Sequence, residues 1–375
     1  MANDFFSPLS LISDRNSTGQ TRLMKQLRST VIRAGLEALY FSGAHHVLRP
    51  IFAGVGAIFM LHHVRPCDGR EFQPNHHLEI EPSFLRAVLS HLRACEIDIV
   101  SMDEVYRRLT EKDFARRFAA FTFDDGYRDN RDHALPVLRE FDAPCIVYAV
   151  NDFAAGTGWP WWIALERAVA SASTIEVEIG GRTTRMETGT AAQKQAAFDR
   201  LHDWLRALPS EHDVRREVAQ LCARHGVDER AISRELCMSW DELKAFACDP
   251  LVTIGAHTIT HANLAKQSEQ AALNELKTSR ARIEAALGRP ALHLAYPYGN
   301  KYAAGPREFA LAKAAGFKTA VTTRPGMVFA ESAGYMTALQ RVSLNGNYQD
   351  ERFLPVLTSG TATAMWNGFR RIDAA

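Results

Sequence analysis

Two short polar motifs, each preceded by an apolar stretch, have the residue types needed to bind a divalent metal ion. Residues 121–127 read Phe-Thr-Phe-Asp-Asp-Gly-Tyr, and residues 257–261 read His-Thr-Ile-Thr-His. Taken singly, Asp-Asp-Gly is a common turn sequence, and two histidines at this spacing often lie on one face of a helix. Two imidazoles and one carboxylate, with an open position for water, are the composition of a catalytic zinc site. Together the motifs predict a hydrolytic metal centre.

Both motifs are expected at the carboxyl ends of buried strands, where parallel α/β folds expose functional groups. The predicted strands cover residues 119–123 and 251–256. Neighbouring side chains on a strand point to opposite faces, so Asp124 and Asp125 reach one site only if the strand ends or bends there. Gly126 permits that bend. With one carboxylate on the metal, the other is free to accept a proton from water.

The chain around these motifs alternates between predicted strands and helices, which indicates parallel pairing with right-handed crossovers in a barrel or a doubly wound sheet. The other predicted strands are 57–61, 97–100, 145–150, 292–295 and 318–322. Predicted helices include 82–94, 132–141, 241–247 and 267–287. The alternation breaks after residue 150, where a Trp-rich segment, a hairpin near 175–186 and two helices at 191–207 and 211–224 are expected.

Composition excludes some partners. Lys and Arg total 44 and Asp and Glu total 43, so the sequence as a whole has no electrostatic footprint for nucleic acid or an anionic membrane. The six cysteines show no Cys-x-x-Cys spacing, no secretory signal is evident, and the longest apolar run, 51–61, is too short to span a bilayer. These features predict a cytoplasmic enzyme.

An amphipathic stretch from about Thr21 to Phe41 predicts a helix near the amino terminus. Its polar face includes Arg22, Lys25, Arg28 and Arg33, so peripheral contact with a membrane surface is one interpretation. Docking of the helix on its own domain is the simpler one and is favoured here.

Three segments resemble the motifs of a known family. Phe-Asp-Asp-Gly-Tyr at 123–127, His-Thr-Ile-Thr-His at 257–261 and Tyr-Pro-Tyr-Gly at 296–299 occur in the order found in the polysaccharide deacetylase family, carbohydrate esterase family four, which includes the nodulation-type chitooligosaccharide deacetylases. The resemblance runs from about residue 57 to 344, without the insertion. It implies an α/β fold, a distorted (β/α) barrel, that removes N-acetyl groups from amino sugars.

On this resemblance the chain divides into four segments. Residues 1–50 form an amino-terminal arm and the amphipathic helix, and residues 51–150 form the first part of the deacetylase barrel. Residues 151–238 are an insertion with the Trp-rich segment, the hairpin and helices, and residues 239–375 form the second part of the barrel with a carboxyl-terminal segment.

The resemblance also implies roles for single residues. Asp125, His257 and His261 would bind the metal, with zinc expected and cobalt, manganese or nickel as alternatives. Asp124 would be the general base that deprotonates the attacking water. The backbone N–H of Tyr298 would donate to the developing oxyanion.

This chain departs from the family pattern at two places. Many members carry an arginine that pairs with the base where this chain has Ala295, and Arg341 is the candidate replacement. Many members also use a late histidine as general acid, but no histidine follows His293. The segment at 61–64 resembles the Tyr-His-x-Val of poly-N-acetylglucosamine deacetylases, which points to His62 as the acid, a role suited to a pKa near 6.5. A supporting role for His62, or the use of His63 instead, are the alternatives.

The sequence therefore predicts a metal-dependent hydrolase that removes N-acetyl groups from an amino-sugar oligo- or polysaccharide. One alternative keeps the mechanism and acts as a deformylase or deacetylase on a lipid-linked sugar, and another is a non-catalytic glycan-binding barrel. Trp159, Trp161 and Trp162 either stack on sugar rings or pack the base of the insertion.

Overall fold

The protein folds around a ring of parallel strands. The computed structural model describes residues 17–374, with side chains from residue 29 onward. Its strands are β1 (Gly56–Leu61), β2 (His63–Val64), β3 (Glu79–Ile80), β4 (Asp98–Ile99), β5 (Phe118–Phe123), β6 (Cys145–Ala149), β7 (Thr174–Ile179), β8 (Arg182–Glu187), β9 (Val252–Ala256), β10 (His293–Ala295), β11 (Thr319–Pro325) and β12 (Leu339–Ser343).

Pairing of the first barrel strand on both sides closes the ring. β1 is parallel to β5 over its whole length and to β12 on its other edge. Seven strands complete the circle in the order β1, β12, β11, β10, β9, β6, β5. The predicted strand at 97–100 is only the two-residue β4, which pairs with the first two residues of β5 and is not part of the ring. The predicted distorted (β/α) barrel is confirmed.

Helices surround this ring and cover its outer face. They are α1 (Ser17–Phe41), α2 (Ala44–Phe52), α3 (Pro82–Ala94), α4 (Met102–Glu111), α5 (Leu135–Glu140), α6 (Asn151–Ala154), α7 (Trp161–Ser171), α8 (Ala191–Ala207), α9 (Glu211–Arg224), α10 (Glu229–Leu236), α11 (Trp240–Phe246), α12 (Glu269–Leu287), α13 (Pro306–Ala314), α14 (Leu354–Thr358) and α15 (Thr361–Trp366). The helix predicted at 132–141 is shorter, because residues 130–134 form a π-helical turn before it.

The period of two along each strand separates an outer core from an inner one. Phe121 and Phe123 of β5 belong to the apolar cluster shared with the surrounding helices, whereas Phe118 and Ala120 belong to a second cluster with Ile58 of β1. Every residue of β5 is buried, as expected of a parallel strand covered on both faces. Side chains in register with Ala120 therefore face the interior of the barrel.

The segment between β6 and β9 has an apolar cluster of its own. Hairpin β7–β8 turns at Gly180 and Gly181, whose φ angles of 60° and 75° require glycine-like freedom. Helices α7, α8 and α9 bury Leu165, Leu201 and Val218 against one another. This small core holds α8 in place beside the barrel.

The predicted amino-terminal helix is present as α1, and its carboxyl-terminal half docks on the barrel domain. Leu36 and Leu39 pack against Phe353 and Val356. The side chains of Arg22, Lys25 and Arg28, and the predicted arm before residue 17, lie outside the described part of the chain. Across residues 17–374, the structure contains no helix with the length and apolarity that a bilayer crossing demands.

Glu242 ties the first turn of α11 to the segment that follows β5. Its carboxylate accepts from Arg128 at 3.0 Å, from Arg131 at 2.8 Å and from the backbone N–H of Ser239 at 2.8 Å. The hydrogen bond from Arg128, foremost among these, lowers the pKa of Glu242 to about 2 from its usual 4.5. Its stabilisation is thus complete above about pH 5 and is lost as the pH falls toward 2.

We expect Glu242→Gln to lower the free energy of unfolding at pH 7 by about 1–2 kcal/mol, because this partly exposed pair is screened by solvent. Urea unfolding of both proteins at pH 7 and at pH 3.5 measures the effect. If the ionised carboxylate is responsible, the difference in free energy of unfolding between the two proteins is smaller at pH 3.5 than at pH 7. An equal difference at both pH values would contradict this assignment.

Candidate active site

Three predicted ligands meet at the carboxyl ends of the barrel strands. Asp125 is the second residue after β5, and His257 is the first residue after β9. The Oδ1 atom of Asp125 lies 3.5 Å from Nε2 of His257 and 3.3 Å from Nε2 of His261. One ligand atom from each residue falls within 4.8 Å of the others. One cation could contact all three atoms.

The hydrogen bonds around these atoms fit a metal. Nδ1 of His257 is 2.8 Å from the carbonyl oxygen of Ala295, which can only accept, so Nδ1 carries the proton and Nε2 presents a lone pair. Oδ1 of Asp125 is buried without a hydrogen-bond partner among the described residues. A buried carboxylate oxygen without a donor is costly, and a divalent cation would satisfy it.

The backbone around the site is unusual. Asp125, Thr258, His261 and Tyr298 have φ angles of 72°, 66°, 60° and 61°, in the left-handed region that favours glycine. Such conformations each cost on the order of 1 kcal/mol and cluster at functional sites. The turn at Asp125 lets consecutive carboxylates face one site, as the sequence required.

A buried glutamate fixes the loop that carries the two histidines. The carboxylate of Glu275 on α12 accepts from the backbone N–H groups of Ile259 at 2.7 Å and Thr260 at 3.2 Å, and from Oγ1 of Thr260 at 3.0 Å. These bonds hold the loop between His257 and His261 against the barrel. Sequence reasoning missed Glu275, because a glutamate within an amphipathic helix gives no sign of pointing inward.

The second carboxylate, Asp124, is held by an arginine from across the barrel. Nη1 and Nη2 of Arg341 donate to its two oxygens at 2.8 Å and 2.7 Å. Nε of Arg341 donates to the carbonyl of Thr322 at 2.8 Å, and Nη1 also donates to Oγ1 of Thr122 at 3.0 Å. Arg341, which is fully buried, therefore contacts both oxygens of Asp124.

The two adjacent aspartates have opposite electrostatic environments. Burial by itself would raise the pKa of Asp124, but the charge and hydrogen bonds of Arg341 outweigh it and hold that pKa well below its usual range. Burial raises the pKa of Asp125 to about 8, and the negative charge of Asp124 adds to the shift. A cation on Asp125 would reverse the second shift, because it stabilises the ionised form.

His62 and His63 point in different directions. In register with Ile58, His62 faces the barrel interior, and its Nε2 is 3.9 Å from Oδ2 of Asp124. His63 is buried behind it, where Nδ1 lies 2.6 Å from Oδ2 of Asp129 and its ring stacks on Tyr127 at 3.6 Å. Of the two neighbours, only His62 lies beside the carboxylate of Asp124.

The expected pKa of His62 needs correction. Burial lowers the pKa of His62 to about 3, although the charge of Asp124 opposes the shift. The imidazole is therefore neutral at pH 7, and its pKa lies well below the value near 6.5 expected from the sequence. A neutral His62 must acquire a proton before it can give one away.

The tryptophans of the insertion pack against the site. Nε1 of Trp161 donates to the hydroxyl of Tyr298 at 2.9 Å, and the ring of Trp162 lies 4.9 Å from that of His261. Both rings are buried, so the packing interpretation holds for them. Trp159 is only partly buried, and the guanidinium of Arg215 lies 5.6 Å from the centre of its ring.

Comparisons with known proteins agree with this geometry. The family model described as polysaccharide deacetylase matches residues 111–320, more than half of the 375-residue chain. His62 and Arg341 lie outside the matched residues. A comparison with curated proteins found no match.

Two solved structures illustrate the likeness in fold. The Streptococcus pyogenes deacetylase PplD in complex with acetate superposes with a TM-score of 0.52 and 17% identity, covering 78% of this chain and 92% of that one. IcaB from Ammonifex degensii gives a TM-score of 0.51 and 16% identity, covering 81% of this chain and 97% of that one. At these identities the likeness shows the fold, while the family match shows the class of enzyme. The chain belongs to the polysaccharide deacetylase family and is a hydrolase acting on N-acetyl amide bonds.

Proposed function

We propose that this protein is a metal-dependent de-N-acetylase of an amino-sugar oligosaccharide or polysaccharide. The observation that carries the proposal is the buried set of Asp125, His257 and His261 beside a second carboxylate that Arg341 keeps apart from them. A non-catalytic glycan-binding barrel would have no need of this arrangement, because buried charges and strained backbone are costly to maintain.

Asp125, His257 and His261 would hold the cation. When bound, a divalent metal would lower the pKa of a coordinated water and polarise the acetyl carbonyl. Two imidazoles and one carboxylate suit zinc best, and cobalt, manganese and nickel bind the same types of donor.

Asp124 would accept the proton of the attacking water. Arg341 fixes the orientation of its carboxylate and keeps it ionised, and each oxygen retains a lone pair beyond those that Arg341 uses. Because its pKa is low, Asp124 would hold this proton only briefly. His62, with Nε2 3.9 Å from Oδ2, is the nearest group able to receive it.

His62 would then deliver the proton to the departing amine, which is far more basic than a buried imidazole. We expect His62→Asn to lower kcat by about 10²–10³-fold, the usual range for loss of a proton-transfer group, and to leave metal content unchanged. Acetate release and elemental analysis measure the two quantities. The exposed His133→Asn variant is the matched control. If His62→Asn lost bound metal in proportion to its loss of activity, the assignment of His62 as a proton-transfer group would be contradicted.

Tyr298 would stabilise the oxyanion through its backbone. Within residues 17–374 no acceptor is found for its N–H, and its φ of 61° is fixed by the following Gly299. A Cβ on Gly299 would lie 2.6 Å from the backbone nitrogen of Thr323, so this turn tolerates no side chain there. A preorganised N–H of this kind is worth most where negative charge develops.

Acetate release from N-acetylglucosamine oligosaccharides tests the proposal. Purified protein is treated with a chelator, dialysed and reloaded with zinc, cobalt, manganese or nickel. We expect activity to disappear with the chelator and to return with at least one metal. If the reloaded protein released formate from N-formyl sugars but no acetate from N-acetyl sugars, the deformylase alternative would be favoured. Glycan binding without any acyl release by the reloaded protein would favour the non-catalytic one.

A further inference from the structure

An exposed apolar surface lies beside the amino-terminal ends of the barrel strands. Val47 and Ile51 lie one turn apart on α2 and are 76% and 48% exposed. Met365 and Trp366 at the end of α15, and Phe369 just after it, are 49%, 45% and 59% exposed. We call these five residues the basal patch. They are among the few large apolar side chains that the described part of the chain leaves exposed.

The two halves of the basal patch belong to one rigid surface. The rings of Phe52 and Phe369 are 5.8 Å apart, and α15 begins where Gly360 meets the carbonyl of Phe52. A Cβ on Gly360 would lie 2.0 Å from that oxygen, so only glycine permits this approach. The carbonyls of Ala53 and Thr358 both accept from Arg117, the residue before β5, which anchors the unit to the base of the barrel.

The charged side chains on the two segments that carry the basal patch are arginines. Arg49, Arg370 and Arg371 are exposed on the same two segments. Residues 38–67 and 352–372 contain no Asp or Glu. Arg371 lies 3.9 Å from the exposed Glu331, whereas Arg49 and Arg370 make no ion pair with any described residue. The overall charge of the chain, close to zero, conceals this local excess of positive charge.

We propose that the basal patch docks on an anionic phospholipid surface. Apolar and aromatic side chains rimmed by arginine suit the boundary between headgroups and acyl chains, where each contributes to binding without a spanning helix. A second copy of this chain is a poorer occupant, because a two-fold contact through the patch would bring arginines against arginines. The polar face of α1, for which the sequence allows peripheral membrane contact, is a different surface.

Docking in this way would orient the enzyme. The basal patch is at the amino-terminal ends of the strands, whereas Asp125 and His257 follow the carboxyl ends of β5 and β9. The active site would therefore face away from the lipid surface. Such an orientation favours a glycan that extends away from the membrane over a sugar attached directly to a lipid of the same leaflet.

Co-sedimentation with vesicles tests the proposal independently of catalysis. Full-length protein is mixed with vesicles of phosphatidylcholine alone or with added phosphatidylglycerol. We expect binding to be roughly tenfold tighter with the anionic lipid and to weaken with salt. Ile51→Ser combined with Trp366→Ser should reduce binding about tenfold and leave acetate release in solution unchanged. Tyr302→Ser, an exposed aromatic residue on the catalytic side, is the matched control.

Light scattering during size-exclusion chromatography tests the alternative, in which a second copy of this chain covers the basal patch. A monomer that binds anionic vesicles supports the proposal. A dimer that dissociates in the Ile51→Ser, Trp366→Ser variant and does not bind vesicles would overturn it. Equal binding to both kinds of vesicle, or no loss of binding in that variant, would also overturn it.

Discussion

His257→Ala is expected to reduce bound metal to a small fraction of one ion per chain and to lower kcat/KM for acetate release by about 10³-fold or more. The metal would supply several kcal/mol of transition-state stabilisation, which corresponds to a loss of that size. His257 is the best-oriented of the three ligands, because the carbonyl of Ala295 fixes its tautomer. Elemental analysis and initial-rate kinetics measure the two losses.

His133→Ala is the control for this prediction, since that imidazole is exposed. Because His257 is buried, thermal unfolding of His257→Ala must be compared with that of the parent protein. His261→Ala, which removes a less deeply buried ring, provides a second variant with the same expected loss of metal. Full metal occupancy in both folded variants would show that the cation binds elsewhere.

Asp124→Asn is expected to keep the metal and to lower kcat by about 10³-fold. Asparagine has nearly the shape of aspartate but cannot accept the proton of water. Asp124→Asn should thus lose activity while keeping its metal, whereas His257→Ala should lose both. This contrast follows directly from separate roles for the adjacent carboxylates Asp124 and Asp125. Turnover close to that of the parent protein would refute the assignment of Asp124 as base.

Removing the charge of Asp124 leaves Arg341 buried without its partner, which typically costs about 3–5 kcal/mol. We therefore expect Asp124→Asn to be less stable than the parent protein. The double variant Asp124→Asn, Arg341→Met removes both charges and should recover part of this stability without recovering activity. Asp132→Asn, at an exposed position on the same segment, controls for the substitution itself.

Much of the site could be predicted because its chemistry is local in sequence. Asp124 and Asp125 directly follow an apolar β5, and His257 follows β9, so strand polarity alone brings them to one end of the barrel. The period of two also distinguishes His62 from His63 once the inward face of β1 is known. That face is set by closure of the barrel, which the sequence pattern does not reveal.

Other features depend on contacts between distant residues. Arg341 reaches Asp124 across 217 positions, and its pairing follows from the closure between β1 and its two neighbours. The low pKa of His62 depends on burial, which a strand-end position does not specify. Helix α2 was not predicted, because it contains Pro50 and merges with the apolar run that leads into β1. The part of the basal patch on α2 was missed for the same reason.

The central claim is that Asp125, His257 and His261 share one divalent cation while Asp124 remains unbound. A crystal structure with zinc, measured at the zinc absorption edge, tests it most directly. We expect one anomalous peak at about 2.0–2.2 Å from an oxygen of Asp125 and from a nitrogen of each histidine, with Asp124 still paired to Arg341. A peak bound by Asp124, or no peak among these side chains in zinc-saturated crystals, would contradict the account.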